Sequence, residues 1–511
     1  MLVGDWLAKR ELLTPEKVAL IDAATGERRT YREWNARANA VAHLLRHVLG
    51  VQKGDRVAVL AANCPAYLDL LFAAGKLGAI LAPLNWRLTV RELEIILHDC
   101  APAVLFHDET YAGNARQAAA LVGIPTEPLP NPTPAGETPA VHVPAPAGWE
   151  TGATSPSVAM PELTLEDPFL ILYTSGTTGV PKGAVLSHRM VTWNCVNTEA
   201  SWDLWGTDIT PTFAPFFHSG GINVLTLPLV HKGGTVVLLP NSDPAAVLEC
   251  IERERCTIVF AVPTVFQMML EHPRFTTTDL SSVRFCVTGG SSCPLPIIEG
   301  YFKRGLTFRQ GYGMTEVGVN CFSLAPEDAL RKAGSVGRPV FHSEARIVDT
   351  YEQEVGVDEV GELILAGPHV CSGYWNRPEA TAEVLRNGWF HTGDLARRDA
   401  EGYYYIVGRK KDLLISGGEN VYPAEIEGLL MTHPQIAEAA IIGVPDPKWG
   451  EVGRAVVVIR PGETLTAEDV LAFCDGKLAR YKIPKSIVFA PILPRNAMGK
   501  VLKTDLREQF G

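Results

Sequence analysis

The chain has 511 residues, of which 46% are hydrophobic, and its formal net charge is −11. A chain of this length and composition can bury more than one core, so we expect at least two domains and exclude a disordered or fibrous protein. The 57 acidic residues outnumber the 46 Lys and Arg and give no general attraction to nucleic acid, so we expect no nucleic-acid partner.

The N-terminus carries Asp5, Lys9 and Arg10 before any apolar run long enough for a secretion signal. The most apolar stretch contains Asp69 and Lys76, which favours a buried helix and strand over a membrane span. Ten cysteines occur without a CxxC pair, which favours buried free thiols over a zinc site. We therefore expect a soluble cytoplasmic protein without a transmembrane segment.

Residues 31–85 alternate between helical and strand-like patterns, and the alternation recurs through residues 234–288, as expected for parallel sheets with βαβ connections. Residues 124–161 are so rich in proline that we expect an irregular surface connection. Residues 340–408 contain short β-rich runs with many glycines, which are typical of an antiparallel sheet or small barrel.

A new α+β pattern begins at Lys411 and continues to the C-terminus. About a hundred residues are enough for an independent domain. The predicted fold is therefore α/β, with a large N-terminal domain of two βαβ-type sheets plus a small β-barrel-like subdomain (residues 1–410). A small mobile α+β domain follows (residues 411–511).

The most informative motif is YTSGTTGVPKG at residues 173–183, directly after an apolar strand. Its glycines permit close backbone approach to phosphate, while its hydroxyls and Lys182 can meet the phosphate charge. Pro181 precedes Lys182 where a Walker A loop has glycine, so the loop is of a different kind.

Together with that loop, seven further motifs make the whole chain similar to the adenylate-forming superfamily of acyl-CoA synthetases, luciferases and peptide-synthetase adenylation domains. In chain order they are FFH (216–218), TGGS (288–291), GYGMTE (311–316), TGD (392–394), GRKKD (408–412), SGGEN (416–420) and PRNAMGK (494–500). The resemblance implies an ATP-dependent acid–CoA ligase that forms an acyl-adenylate, with ATP between the two domains and Mg²⁺ on its phosphates.

The resemblance also implies the nucleotide ligands. The expected ATP-binding residues are Thr174, Ser175, Gly176, Thr177, Thr178, Gly179, Lys182, Gly289, Gly290, Ser291, Gly311, Tyr312, Gly313, Met314, Thr315, Asp394 and Arg409. Thr174 and Glu316 offer the hard oxygen atoms that Mg²⁺ takes alongside phosphate and water.

In relatives, a lysine matching Lys500 stabilises the charge that moves during adenylation, and the expected catalytic residues are Lys500, His218 and Glu316. We assign His218 to positioning beside the reacting carboxylate rather than to proton transfer. The small domain is expected to rotate about Lys411 so that CoA, the co-substrate, can enter the site. The expected CoA-binding residues are Ser416, Gly417, Gly418, Lys485 and Arg87.

Comparison with relatives narrows the range of acids that the enzyme is expected to accept, because this chain lacks residues that particular acids require. Relatives that activate amino acids usually have an aspartate in the segment corresponding to PFFHSG, which has none here, and dicarboxylate enzymes need a pocket arginine, which PFFHSGGINVL and AVPTVFQMML lack. Acetate enzymes have a tryptophan in the motif corresponding to residues 312–314, where this chain has Gly313. The resemblance therefore implies a monobasic, apolar acid larger than acetate. The expected pocket residues are Phe216, Gly220, Gly221, Val262, Gly313 and Val317.

We predict a medium- or long-chain fatty acid, with an aryl or phenylpropanoid acid of the cinnamate or ferulate type as the alternative. Transfer to a carrier protein, a luciferase-like oxygenase and an inactive homologue are further alternatives. The sequence leaves the choice between a monomer and a homodimer open.

Overall fold

The computed structural model describes residues 3–130, 161–174, 181–495 and 501–511. Its helices in chain order are α1 (Trp6–Leu13), α2 (Tyr31–His43), α3 (Pro65–Leu77), α4 (Val90–Cys100), α5 (Ala112–Val122), α6 (His188–Trp202), α7 (Ser219–Asn223), α8 (Thr226–Lys232), α9 (Pro244–Arg253), α10 (Pro263–Glu271), α11 (Leu295–Lys303), α12 (Pro378–Val384), α13 (Pro423–Leu430), α14 (Ala467–Cys474) and α15 (Lys503–Phe510).

Strands occur in every part of the fold. In chain order they are β1 (Val18–Asp22), β2 (Arg28–Thr30), β3 (Arg56–Leu60), β4 (Ile80–Pro83), β5 (Val104–His107), β6 (Thr126–Pro128), β7 (Pro168–Thr174), β8 (Lys182–Ser187), β9 (Ile209–Thr212), β10 (Thr235–Leu238), β11 (Ile258–Ala261), β12 (Phe285–Thr288), β13 (Phe308–Met314), β14 (Gly318–Ser323), β15 (Arg338–Pro339), β16 (Glu344–Val348), β17 (Gly361–Ala366), β18 (Leu385–Arg386), β19 (Trp389–Arg398), β20 (Tyr404–Arg409), β21 (Leu414–Ser416), β22 (Glu419–Val421), β23 (Ile436–Asp446), β24 (Gly450–Ile459) and β25 (Ser486–Phe489).

Local sequence signals account for the helix ends in the first βαβ unit. Thr30 and Glu33 form a reciprocal capping box at the start of α2, which satisfies two backbone N–H groups that the helix leaves unpaired. Helix α3 begins at Pro65 and ends at Leu77, and its C-cap is Gly78, whose φ of 66° glycine adopts at little cost. The predicted helix–strand alternation of this region is therefore present.

Parallel pairing dominates the first three sheets of the large domain. One sheet has the order β6-β5-β3-β4-β7-β8, in which β8 is the antiparallel edge. A second has the order β2-β1-β10-β9 and a third β11-β12-β13-β14-β15. The last two adjoin where the Thr257 amide donates to the Ile209 carbonyl at 2.8 Å. The predicted α/β class is confirmed.

The β-rich segment forms an antiparallel sheet of β16 to β20, as the glycine-rich pattern indicated. Strand β20 pairs with β19, whereas β21 pairs with β22 and β24 in the C-terminal sheet. A single 3₁₀ turn, Lys410–Asp412, separates these pairings. The predicted hinge residue, Lys411, lies exposed in that turn.

The prediction of free and mostly buried thiols is confirmed, because all ten cysteines are free and nine are buried. Burial raises the pKa of the Cys286 thiol to about 12. Most of the proline-rich segment, residues 131–160, lies outside the described residues. The prediction of an irregular connection is wrong at its start, because β6 (Thr126–Pro128) lies within residues 124–161 and pairs with β5 as an edge strand. Across the described ranges, the helices are too short or too polar to cross a membrane.

Candidate nucleotide and acid site

Asp394, on the interior strand β19, sits at the centre of a three-residue cluster. It is the register partner of Arg409 across β19 and β20. Its carboxylate accepts from the Tyr312 hydroxyl at 2.5 Å and lies 2.9 Å from Nε of Arg409. Three motifs that are far apart in the sequence therefore meet at one carboxylate.

The electrostatics of this cluster keep the Tyr312 phenol and the Arg409 guanidinium protonated. Burial, with the nearby Asp394 charge, raises the pKa of Tyr312 well above its usual value, so the phenol stays a donor. Burial by itself would lower the pKa of Arg409, but the acidic groups led by Asp394 outweigh it and the pKa is raised. A carboxylate and a permanent cation side by side suit ribose hydroxyls and a phosphate, respectively.

Two glycines follow β12 directly and lie against β13. A methyl group placed on Gly289 would lie 3.8 Å from the Gly311 carbonyl, and Gly290 has a φ of +84°, which disfavours other residues. Ser291 is exposed beside them. Neither glycine carries a side chain that would obstruct an adenine ring, and the ring's placement there stays a prediction.

Gly313 has a structural reason to be glycine. The pairing of β13 with β14 shifts register between Tyr312 and Met314, and a Cβ on Gly313 would lie 2.3 Å from the carbonyl carbon of Val319. A tryptophan would require a different backbone here. The absence of a bulky residue at this position is therefore a requirement of the hairpin and does not report the size of the acid. Met314 and Thr315 are half-buried at the end of the same strand.

The two predicted magnesium ligands come together at the ends of β7 and β13. Glu316 is 5% exposed, and its Oε1 lies 3.4 Å from Oγ1 of Thr174. Among the described residues no cluster of three or more His, Cys, Asp or Glu could hold a metal. One carboxylate and one hydroxyl nevertheless fit Mg²⁺ that is also bound by nucleotide phosphate and water.

Tyr374 is a member of this site that the motif assignment missed. Its hydroxyl donates to Oε1 of Glu316 at 3.0 Å, and its ring centroid lies 5.4 Å from Nζ of Lys182. Burial, followed by the Glu316 charge, raises the pKa of Tyr374, so it stays a donor. In the sequence this tyrosine begins the segment YWNRPEAT (374–381), and nothing in that segment indicates that its partner is Glu316.

Backbone pairing fixes the position of Tyr374. The Val185 amide donates to the Gly373 carbonyl at 2.9 Å, and the Trp375 amide donates to the Gly183 carbonyl at 2.7 Å. The segment thus extends the β7–β8 edge, beside the strand that Lys182 begins. Residues 175–179 of the predicted phosphate loop and the predicted catalytic Lys500 lie outside the described residues.

His218 occupies the N-cap position of α7 without a side-chain capping hydrogen bond, and its ring centroid lies 4.6 Å from that of Phe217. Arg87, predicted to bind CoA, lies over Trp86 with its Cζ 5.7 Å from the Phe217 ring. The structure therefore brings this predicted CoA residue to the FFH motif. Both assignments remain predictions.

The residues predicted for the acid pocket divide into two groups. Phe216 and Val317 are fully buried in the main core, and a Cβ on Gly221 would lie 2.3 Å from the Pro215 carbonyl oxygen. Gly220 and the exposed Val262 instead adjoin a region next to Phe260, which the sequence assignment omitted.

Phe260, on β11, lies between a residue of the predicted acid pocket and a residue of the predicted nucleotide site. A methyl group on Gly220 would lie 3.6 Å from its Cε1, and one on Gly289 would lie 3.9 Å from its Cε2. Val262, two residues on, approaches Gly290 in the same way at 3.7 Å. One aromatic ring therefore lies between the predicted nucleotide and acid regions.

The remaining predicted CoA residues lie in the predicted C-terminal domain. Ser416 ends β21 and is buried, while Gly417 and Gly418 have φ values of +62° and +88°. The Trp449 ring covers Gly417, so that a Cβ there would lie 2.6 Å from Cε3. Lys485 is exposed, with its amide bonded to the Gly453 carbonyl.

The sequence matches the AMP-binding enzyme family over residues 7–375 and the AMP-binding enzyme C-terminal domain over residues 425–500. It is 43% identical to a feruloyl-CoA synthase of Amycolatopsis over 100% of this chain and 99% of the relative. It is 41% identical to the indoleacetate–CoA ligase of Aromatoleum aromaticum and 37% identical to the long-chain-fatty-acid–CoA ligase FadD13 of Mycobacterium tuberculosis, each over 99% of this chain and 98% of the relative.

Among solved structures, o-succinylbenzoate CoA synthetase (MenE) from Bacillus subtilis, in complex with the acyl-adenylate OSB-AMP, has a TM-score of 0.86 at 31% identity. The alignment covers 98% of each chain. These matches extend over both predicted domains. The chain therefore belongs to the AMP-binding enzyme family and is an ATP-dependent acyl-CoA synthetase that works with Mg²⁺ and CoA.

Proposed function

We propose that this enzyme joins an aromatic monocarboxylic acid of the arylpropenoate type, such as a cinnamate or ferulate, to CoA. A carboxylate oxygen attacks the α-phosphorus of ATP and pyrophosphate leaves, which gives an acyl-adenylate. The CoA thiolate then attacks the acyl carbonyl and AMP leaves. The observation that carries the choice of acid is the ring of Phe260 between Gly220 and Gly289.

A flat acid suits this position for steric and electronic reasons. Glycine on both sides of Phe260 leaves flat surfaces without side chains, and the half-buried ring can face a ligand. Offset or edge-to-face aromatic pairs add about 0.5–1.5 kcal/mol beyond the area they bury. The side chains that approach these glycines and Gly290, those of Phe260 and Val262, are uncharged, which supports a monobasic acid.

The proposal assigns each predicted residue to one half-reaction. Mg²⁺, when bound, supplies positive charge at the phosphate oxygens that leave as pyrophosphate. Glu316 and Thr174 would hold that ion, with Tyr374 orienting the Glu316 carboxylate.

Asp394 would orient the ribose and Arg409 would meet phosphate charge, while Lys500 would stabilise the charge that develops in adenylation. In the second half-reaction, Ser416 to Gly418 would admit the pantetheine arm of CoA after rotation about Lys411.

A fatty acid is the second candidate. The 37% identity to the fatty-acid ligase FadD13 extends over nearly the whole chain, and Gly220 leaves space for a chain beside Phe260. The two relatives of higher identity are named for aryl acids. We therefore place the aryl acid first.

AMP release separates the candidates when it is measured with ferulate, cinnamate, octanoate and palmitate, with and without CoA. We expect kcat/KM to be highest for ferulate or cinnamate and turnover to require CoA. Higher kcat/KM for palmitate or octanoate would refute the aryl assignment, and AMP release that ignores CoA would favour transfer to another acceptor.

A matched pair of variants tests the role of Phe260. Phe260→Leu keeps an apolar side chain but removes the ring, so the ratio of ferulate to octanoate kcat/KM should fall by about 2- to 10-fold, from the loss of an aromatic pair. Phe302→Leu alters a half-buried phenylalanine of another core cluster and should leave the ratio unchanged. An equal ratio in the two variants would contradict the proposed contact.

A further inference from the structure

We infer that Trp202 forms the floor of the acid pocket and limits the length of the acid that the enzyme accepts. This inference rests on the proposed placement of the acid beside Phe260. It assigns length selection to a residue on α6, a helix that contributes to none of the nucleotide motifs.

Trp202 is held firmly at the end of α6. Its side chain is 1% exposed, and its Nε1 donates to Oγ of Ser323 at 3.1 Å. The hydrogen bond ties the indole to β14, so the ring cannot turn away without leaving a buried polar group unpaired.

The indole lies directly behind the glycine surface of the site. A methyl group on Gly311 would lie 3.8 Å from Cζ2 of Trp202, and Gly311 itself adjoins Gly289. Phe260, Gly289, Gly311 and Trp202 therefore form a continuous series of contacts from the proposed acid position into the interior.

Exposure decreases along this direction. Phe260 and Val319 are half-buried and pack against the cluster that contains Trp202. The members of that cluster are no more than 4% exposed: Trp202, Leu204, Val224, Leu225, Leu229, Ile258, Phe285 and Val287. An alkyl chain extended past Phe260 would meet close-packed side chains, of which Trp202 is the largest.

Protein interiors are packed at crystal-like density, so methylene groups can enter only where a side chain is removed. A space left in an apolar cluster stays dry and can bind apolar ligands. Trp202 thus favours a compact acid, and a smaller residue at this position opens space along the sheet for a longer one.

The test uses kcat/KM for a ladder of hexanoate, octanoate, dodecanoate and hexadecanoate, with cinnamate as a further substrate. The variants are Trp202→Ala, the more conservative Trp202→Phe, and the control Trp205→Ala. Trp205 lies three residues further on but is 54% exposed and stacks on Arg284 at 3.5 Å. Retained cinnamate turnover reports that a variant is folded.

We expect the wild-type rate to fall steeply beyond octanoate. The dodecanoate-to-hexanoate ratio should rise at least about 10-fold in Trp202→Ala, the effect of accommodating even one more methylene in an apolar pocket. Trp202→Phe should give a smaller rise, and Trp205→Ala none. If Trp202→Ala is insoluble, the rise in Trp202→Phe decides.

The inference would be overturned if the soluble Trp202 variants had the same dependence of kcat/KM on chain length as the wild type. It would also be overturned if the wild-type enzyme had the same kcat/KM for hexadecanoate and hexanoate. The proposed function fails separately, if ferulate and cinnamate are poorer substrates than hexanoate or octanoate. In that case, a higher dodecanoate-to-hexanoate ratio in Trp202→Ala would still support the inference that Trp202 forms the floor of the pocket.

Discussion

Replacing Tyr374 with phenylalanine removes one hydroxyl and leaves the ring beside Lys182. The lost hydrogen bond goes to Oε1 of Glu316, a carboxylate that is 5% exposed. Hydrogen bonds to charged groups contribute about 1.5–3 kcal/mol net. The separation of 3.0 Å is at the long end of the O–H···O range, which favours the lower value, about 1.5 kcal/mol.

That free energy corresponds to about a 10-fold change in an equilibrium constant. Because the hydroxyl holds Oε1, it orients the other carboxylate oxygen, and we expect about 10-fold weaker apparent Mg²⁺ affinity in Tyr374→Phe. The assay is a Mg²⁺ titration of pyrophosphate release at fixed ATP, with calorimetric binding of Mg·ATP as a readout independent of turnover.

Tyr403→Phe is the matched control, since Tyr403 also donates its hydroxyl to a carboxylate, that of Asp328, which belongs to none of the proposed site motifs. Its Mg²⁺ midpoint should equal that of the wild type. The reasoning is refuted if Tyr374→Phe leaves the midpoint unchanged, or if both variants shift it equally.

Three other outcomes follow from the site and from burial. Lys500→Ala should abolish adenylate formation, measured as pyrophosphate release, and largely preserve thioester formation from supplied acyl-adenylate; equal losses in both would contradict its role. Gly417→Ala places a Cβ 2.6 Å from Trp449 and should slow the CoA step alone. The control Gly462→Ala is also at positive φ, but no atom of the described chain lies within 4 Å of the added Cβ, so it should not slow this step. Equal effects of the two variants would contradict the assignment of Gly417 to CoA binding. Burial lowers the pKa of His188 from 6.5 to about 4, so the unfolded chain binds the proton more tightly than the folded chain does. The free energy of unfolding present above pH 6.5 should therefore fall by up to about 3 kcal/mol as the pH drops to 4. Denaturant midpoints should lose part of this acid sensitivity in His188→Phe; an identical pH profile would contradict it.

The sequence by itself determined the fold class and the reaction. Alternating helix and strand patterns are local, and so are the phosphate loop and the ordered motifs, which is why both could be read without coordinates. The free state of the cysteines likewise follows from their number, spacing and apolar surroundings. These features depend on neighbours within a few residues of one another.

Contacts across the fold could not be read in the same way. Tyr374 meets Glu316 across 58 positions of sequence because a short segment pairs with the edge of β8. The glycine at position 313 reflects a register shift between β13 and β14, although its sequence context suggested an open pocket. Pairing register sets such contacts, and composition and spacing do not encode it.

The choice of acid shows most directly which features can be predicted from the sequence and which depend on the tertiary structure. The sequence predicted a monobasic acid from the absence of charged residues in the predicted pocket, and it included glycines among the predicted pocket residues. Only the tertiary structure brought Phe260 between Gly220 and Gly289 and Trp202 behind Gly311. These residues come from separate elements, and only the packing of α6 and α7 on the third sheet brings them into one site.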